Sequence, residues 1–181
     1  LALAPLAQQY PGLDRPIRIG QLQRFLVEWA WETGLQPLRA SASTGKRVAV
    51  IGAGPAGLTC AAQLARAGHG VTIFEARAEP GGMLRYGIPE HRLSREFIRR
   101  EIRDVTDLGV EIRCGEAVTG AEGLDGLLQR GYAAVYVATG AWQGLTLDAS
   151  NRPREGLLDA LAFLGLAKDD PASAAAQVKG R

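Results

Sequence analysis

Short, mostly apolar runs alternate along this chain with segments whose apolar positions recur every three or four residues. Val48–Ile51 is an apolar run, Leu58–Ala67 a small-residue helical stretch, and Val71–Phe74 a second, mostly apolar strand ending in Glu75. That order predicts a β–α–β unit with a parallel sheet. Before it, Leu22, Phe25, Leu26 and Trp29 share one helical face within 19–33, and Gly34 stops the helix. This predicts a packing helix. Residues 35–46, with Pro37, Ser41, Ser43, Thr44 and Gly45, read as a linker. After the unit, 94–108 predicts a helix capped by Ser94 and ended by Gly109, with Phe97, Ile98, Ile102 and Val105 turned inward. A strand at 110–113 and a helix at 124–129 follow. Tyr132–Ala138 reads as a strand covered on both faces, 155–166 as an apolar helix, and 168–181 as a connector.

The turn between the first strand and its helix carries chemistry. Gly52-Ala53-Gly54-Pro55-Ala56-Gly57 follows the strand directly and opens the helix. Each glycine has its own physical reason. Gly52 permits the tight turn, Gly54 lets the backbone approach a pyrophosphate, and Gly57 allows close helix–strand packing. The helix start offers unpaired N–H groups and partial positive charge to phosphates. Glu75 lies 18 residues after Gly57, where a carboxylate accepts hydrogen bonds from a ribose 2′-OH and repels a 2′-phosphate. The pattern predicts a dinucleotide site favouring FAD or NAD over NADP. Gly81-Gly82, soon after the acid, frees further backbone N–H groups to face a ligand.

Composition alters this little. The chain has 181 residues, 46% hydrophobic and 22% charged, with a net charge of +2, which makes no case for nucleic acid. No stretch approaches the ~20 apolar residues of a membrane span. The apolar start, Leu1–Ala7, lacks a basic lead and holds Pro5, so it does not read as a signal peptide. Cys60 and Cys114 are too few and too far apart for a disulfide scaffold or a metal site, and point to a cytoplasmic setting. No metal site and no independent catalytic acid or base is expected. His69 reads as a surface residue, and His91 stands beside Arg92.

Several ordered motifs add a resemblance. Gly81-Gly82-Met83 is similar to the second ligand-contacting loop of FAD proteins with two dinucleotide-binding domains. Tyr86-Gly87-Ile88-Pro89-Glu90-His91-Arg92-Leu93 resembles the GIP-x-x-RL signature of the glutamate synthase small subunit group. That group includes the N-terminal flavin region of dihydropyrimidine dehydrogenase and ferredoxin:NADP transhydrogenase subunits. Val135–Gly140 resembles its strand ending in Ala-Thr-Gly, and Asp14–Ile19 with Leu22–Phe25 its preceding D-x-P-V-x-I…L-x-R-F segment. The resemblance runs over about 14–181.

It implies an α/β Rossmann-like FAD-binding domain with a parallel sheet at 45–150. A helical segment and linker at 1–44 precede it. A helix and connector at 151–181 lead toward an NAD(P)H-binding domain outside this chain. It implies that Gly52, Gly54, Pro55, Ala56 and Gly57 line the pyrophosphate, and that Glu75 holds the adenosine ribose. Gly82 and Met83 face the flavin through their backbone, Val118 touches the adenine end, and Ala138, Thr139 and Gly140 turn beneath the dinucleotide. Arg92 reads either as a phosphate or ribityl contact or as a solvated arginine. Three departures stand beside these: Ser94 replaces a proline, the turn after Gly140 differs, and 7–13 lacks the cysteines that relatives use for iron–sulfur clusters. No cluster is therefore expected from this chain's own thiols.

The implied function is the FAD-binding part of an NAD(P)H-dependent oxidoreductase. It would pass electrons to an iron–sulfur or ferredoxin-type partner or larger subunit. The alternative is a nucleotide- or flavin-binding module without turnover, structural within a complex. The arginines of 94–108 alternate with acids, which reads as a solvated face or as a docking surface for an acidic partner.

Overall fold

The computed structural model describes residues 17–144 and 157–178. They fall into two compact units that divide between Pro37 and Leu38. The first holds helix α1, Ile19–Glu32. Its length matches expectation. Leu22, Phe25, Leu26 and Trp29 stay about half exposed, and no residue of the helix is buried. A single amphipathic helix orders its stripe but cannot bury it without a second layer.

The second unit is a parallel four-stranded sheet in the order β3-β2-β1-β4. The strands are β1 (Arg47–Ile51), β2 (Gly70–Glu75), β3 (Glu111–Cys114) and β4 (Ala134–Val137). Helix α2 (Pro55–Arg66) joins β1 to β2. Then come α3 (Gly82–Tyr86), α4 (Arg95–Thr106) and α5 (Gly120–Gln129). Beyond β4, α6 (Ala160–Asp169) and α7 (Pro171–Val178) are described. Parallel strands require crossovers, and these helices supply them on both faces.

Two apolar clusters result. Val50, Ile73 and Val71 meet Ala61, Ala62 and Ala65 of α2 on one face, with Leu108, Val110 and the half-buried Ile102 and Val105. The small side chains let α2 lie close to the sheet. Ala49, Ile51 and Phe74 face Leu127 of α5 and Tyr132 on the other, with Val118, Leu124 and Val135 at the margin.

The structure corrects two expectations. β4 is an edge strand, with Tyr136 43% and Val137 55% exposed, so its apolar run is not covered on both faces. Residues 168–181 are not all connector, since α7 occupies 171–178, its start helped by Asp170, whose carboxylate accepts from Ser173 N–H at 3.1 Å. Elsewhere the boundaries shift: α5 begins four residues early, at Gly120, and α6 starts at Ala160 behind its Asp159 cap rather than at 155. Ser94 caps α4 as expected, accepting from Phe97 N–H at 3.2 Å. The expected segments at 14–16 and 151–156 lie outside the described residues.

Candidate dinucleotide site

Three backbone turns meet at the carboxyl ends of β1, β2 and β4. The chain leaves β1 at Gly52, with φ +102°, a conformation closed to most side chains. A Cβ there would sit 2.4 Å from the carbonyl oxygen of Ala138, so the β4 turn crosses directly over the β1 turn. Ala138 N–H donates to Ile51 O at 2.8 Å and fixes that crossing. Gly57 is pressed just as closely: its Cβ would lie 1.9 Å from Gly52 O. Gly54 differs. Its Cβ would meet only the Cα of Gly82, at an ordinary 3.9 Å. The first and third glycines are therefore required by packing, whereas the second leaves its space open.

Gly54 is also the N-cap of α2, with Pro55 in the first turn, and no side chain caps the helix. No acidic residue stands in the first turn. The donors and partial positive charge at this end remain available for an anion. Pro55 and Ala56 are exposed beside them, and Gly57 is buried. This donor set fits a pyrophosphate.

The second loop is tied to the first through backbone. Gly81 N–H donates to Ala53 O at 2.8 Å. Gly81 and Gly82 take φ of +121° and +51°, and a Cβ on Gly82 would come 2.6 Å from Gly54 Cα. The pair thus allows two loops to touch where side chains would hold them apart. Met83 turns its thioether back onto Gly87.

Glu75 is 7% exposed. One carboxylate oxygen accepts from Ala53 N–H at 2.7 Å, and the other from Arg77 N–H at 2.9 Å. Its first role is structural, clamping the glycine loop to the end of β2. Each oxygen keeps a further lone pair for a hydroxyl.

The remaining expected residues are more scattered. Val118 is half-buried against the α5-side cluster. Arg92 is exposed in the turn before α4, its N–H donating to Pro89 O at 3.0 Å. Thr139 and Gly140 are exposed, and Thr139 O accepts from the Trp142 indole at 2.9 Å. His91 is exposed, and His69 shares a 2.6 Å hydrogen bond with Thr44.

Sequence reasoning missed one constellation. The Arg77 guanidinium lies 4.0 Å from the Trp142 ring centroid and 4.5 Å from that of Tyr86, and the two rings meet edge-on at 6.0 Å. This stack joins all three turns: Arg77 follows Glu75, Tyr86 ends α3, and Trp142 follows Gly140. The signal was an aromatic residue just beyond each of two glycine turns.

The family described as NAD(P)-binding Rossmann-like domain matches residues 50–96, which take in the β1 turn, Glu75 and the Gly81-Gly82 loop. Among curated proteins, the glutamate synthase [NADPH] small chain of Escherichia coli is 37% identical over 149 residues, 82% of this chain and 31% of that one. The NAD-dependent dihydropyrimidine dehydrogenase subunit PreT of Salmonella typhimurium is 40% identical over 129 residues, 71% of this chain and 31% of its own. Over most of its own length the chain is similar to members of the glutamate synthase small-chain group. The glutamate synthase [NADH] of Schizosaccharomyces pombe extends the likeness, 39% identical over 155 residues, 84% of this chain but 7% of its own. The chain spans less than a third of the length of the curated relatives it matches.

Among solved structures, Mycobacterium tuberculosis FprA in complex with NADPH aligns with a TM-score of 0.56 at 22% identity, covering 67% of this chain and 28% of that one. A 2-naphthoyl-CoA reductase complex aligns at 0.53 and 24% identity, over 75% of this chain and 20% of its own. These likenesses carry the fold: a Rossmann-like α/β unit of the kind found in such oxidoreductases. Among the described residues, no helix is long and apolar enough to cross a membrane.

Proposed function

We propose that the chain holds FAD across the β1, β2 and β4 turns and forms the flavin-binding part of an NAD(P)H-dependent oxidoreductase. The observation that carries this reading is the uncapped α2 start facing the contact between Gly54 and Gly82. Two loops there present backbone rather than side chains to one space. Gly52, Gly54, Pro55, Ala56 and Gly57 frame the pyrophosphate in this reading. Glu75 accepts from the adenosine ribose with the lone pairs its backbone partners leave. Gly82 and Met83 offer backbone toward the flavin, Val118 the adenine end, and Ala138, Thr139 and Gly140 the floor. Arg92, exposed nearby in sequence, is assigned to a phosphate or ribityl oxygen.

The flavin, when bound, supplies hydride acceptance from a nicotinamide and one-electron transfer onward. The protein's part is to bind and orient it. The nicotinamide is placed in a domain outside this chain, and the acceptor is an iron–sulfur or ferredoxin-type partner or larger subunit, in the cytoplasm. The curated relatives support this by name: PreT is a subunit of an NAD-dependent dehydrogenase, and the Escherichia coli protein is an NADPH glutamate synthase chain.

The test is an absorbance spectrum after incubation with FAD and desalting. Retained flavin bands in the unaltered chain, lost in a folded Gly54→Val chain, are the expected result. A folded but colourless unaltered chain overturns the reading. Flavin retained but never reduced by NADH or NADPH favours a binding module without turnover.

A further inference from the structure

A second charged feature lies on the far side of the Gly81 turn. A cavity of about 290 Å³ is lined by Glu79, Arg85, Arg95, Arg99 and Arg103, with Pro80, Ile98 and Ile102 among its apolar wall residues. Its ionisable lining is four arginines against one glutamate. Arg95, Arg99 and Arg103 recur at every fourth residue of α4 and so form one column on a single helix face. Like charges at that spacing destabilise a helix unless something neutralises them. Elsewhere on α4 the same spacing is compensated, with Arg100 on Glu96 at 3.1 Å. Among the described residues, neither Arg99 nor Arg103 makes an ion pair.

The inner end of the column is held from several sides. Arg95 donates to Lys168 O at 2.8 Å, Lys168 donates to Arg85 O, and Arg85 pairs with Glu79. α6 thereby brings a further cation to the cluster. Arg95 lies 3.7 Å from a Glu90 oxygen, a charge contact too long for a hydrogen bond. The Nε–H groups of Arg85 and Arg95 are buried without an acceptor among the described residues. Buried unsatisfied donors are rare and costly, the more so when charged. Unpaired cations, orphaned donors and an open concave space coincide here. The cavity lies just below the usual size of small-molecule pockets, about 300–1,000 Å³, which suits a small anion.

We propose that this arginine-lined cavity is a second anion site, taking the phosphate group of a small phosphorylated molecule. Guanidinium forks match phosphate oxygens in pairs, and a concave wall with apolar Ile98 and Ile102 suits a small molecule better than a protein surface. The site is distinct from the dinucleotide cradle but shares its second loop. A Cβ on Gly81 would touch Arg85 Cβ at 3.0 Å and Ile98 Cγ2 at 3.3 Å, whereas Gly82 abuts Gly54. An anion drawn in by Arg85 therefore presses on the outer side of the turn whose inner side meets the glycine loop.

Calorimetric titration with sodium pyrophosphate at low ionic strength tests this. The unaltered chain is expected to bind at a cavity that survives Gly54→Val. Arg99→Gln with Arg103→Gln, made in the Gly54→Val background, is expected to weaken binding about tenfold or more, with circular dichroism unchanged. Both arginines are exposed, so the fold should tolerate the exchange. No binding by the unaltered chain overturns the proposal. So does binding that the double variant leaves intact or that Gly54→Val removes, since pyrophosphate would then sit at the glycine loop. Binding of an acidic peptide but not of pyrophosphate also overturns it, in favour of a protein partner.

Discussion

A Cβ on Gly57 would lie 1.9 Å from the carbonyl oxygen of Gly52, whereas one on Gly54 would find its nearest neighbour at 3.9 Å. Three glycines that look equivalent in the motif thus answer to different forces. Gly57→Ala is expected to cost about 3 kcal/mol or more, the upper end of overpacking, because backbone rather than a flexible side chain must give way. Gly54→Ala is expected to cost about 1 kcal/mol or less, chiefly through the poorer helix cap. Urea unfolding of both variants checks the contrast, and equal losses would refute it.

Glu75 binds two backbone donors from a buried position. Glu75→Gln keeps the shape but turns one acceptor into a donor facing an N–H. A loss of about 1–3 kcal/mol is expected, in the absence of any ligand. Thermal melts of the ligand-free chain test this. A midpoint that stays put would leave Glu75 with a ligand role alone.

Arg77 between Tyr86 and Trp142 predicts a spectroscopic effect. Arg77→Ala is expected to cost about 1 kcal/mol and to alter the emission of Trp142, read as the difference from a matched Trp142→Phe pair. Identical emission with and without Arg77 would mean that the stack does not persist in solution.

Glu111 on β3 accepts from Thr72 on β2 at 3.1 Å and from Arg113 at 2.8 Å. The Arg113 guanidinium, helped by the Thr72 hydroxyl against the opposing effect of desolvation, holds its carboxyl below the usual 4.5. A depressed carboxyl pKa contributes stability above the unfolded value, and that stability is lost as pH falls through the lower folded value. Below about pH 4.5, the unaltered chain should therefore lose stability more steeply than Glu111→Gln. Melting curves from about pH 7 to about pH 3 decide it. Parallel acid limbs would remove this pair from the acid response.

The sheet order predicts unequal costs for truncation. Ile73, wholly buried at the sheet centre, should cost about 2–5 kcal/mol on change to alanine. Val137, 55% exposed on the edge strand, should cost about 0.5 kcal/mol or less. Comparable losses would mean that β4 is covered in solution.

The order of local patterns determined much of this. Val48–Ile51, the glycine turn, the small-residue helix and Val71–Glu75 are contiguous. Their periodicity and turn chemistry act over a few residues, so the β–α–β unit and the roles of its glycines were legible. The Ser94 cap was legible for the same reason. The place of β4 was not: an apolar strand reads alike at the centre or the edge of a sheet, and only pairing decides which neighbours it has. The double engagement of Glu75 was hidden too, since its partner Ala53 stands 22 residues back and is reached only when β1 and β2 lie side by side. The arginines of α4 looked like a solvated face because their acids alternate in sequence. Only the approach of α3, carrying Arg85, gathers their charge around one cavity, with Lys168 of α6 bonded to its backbone.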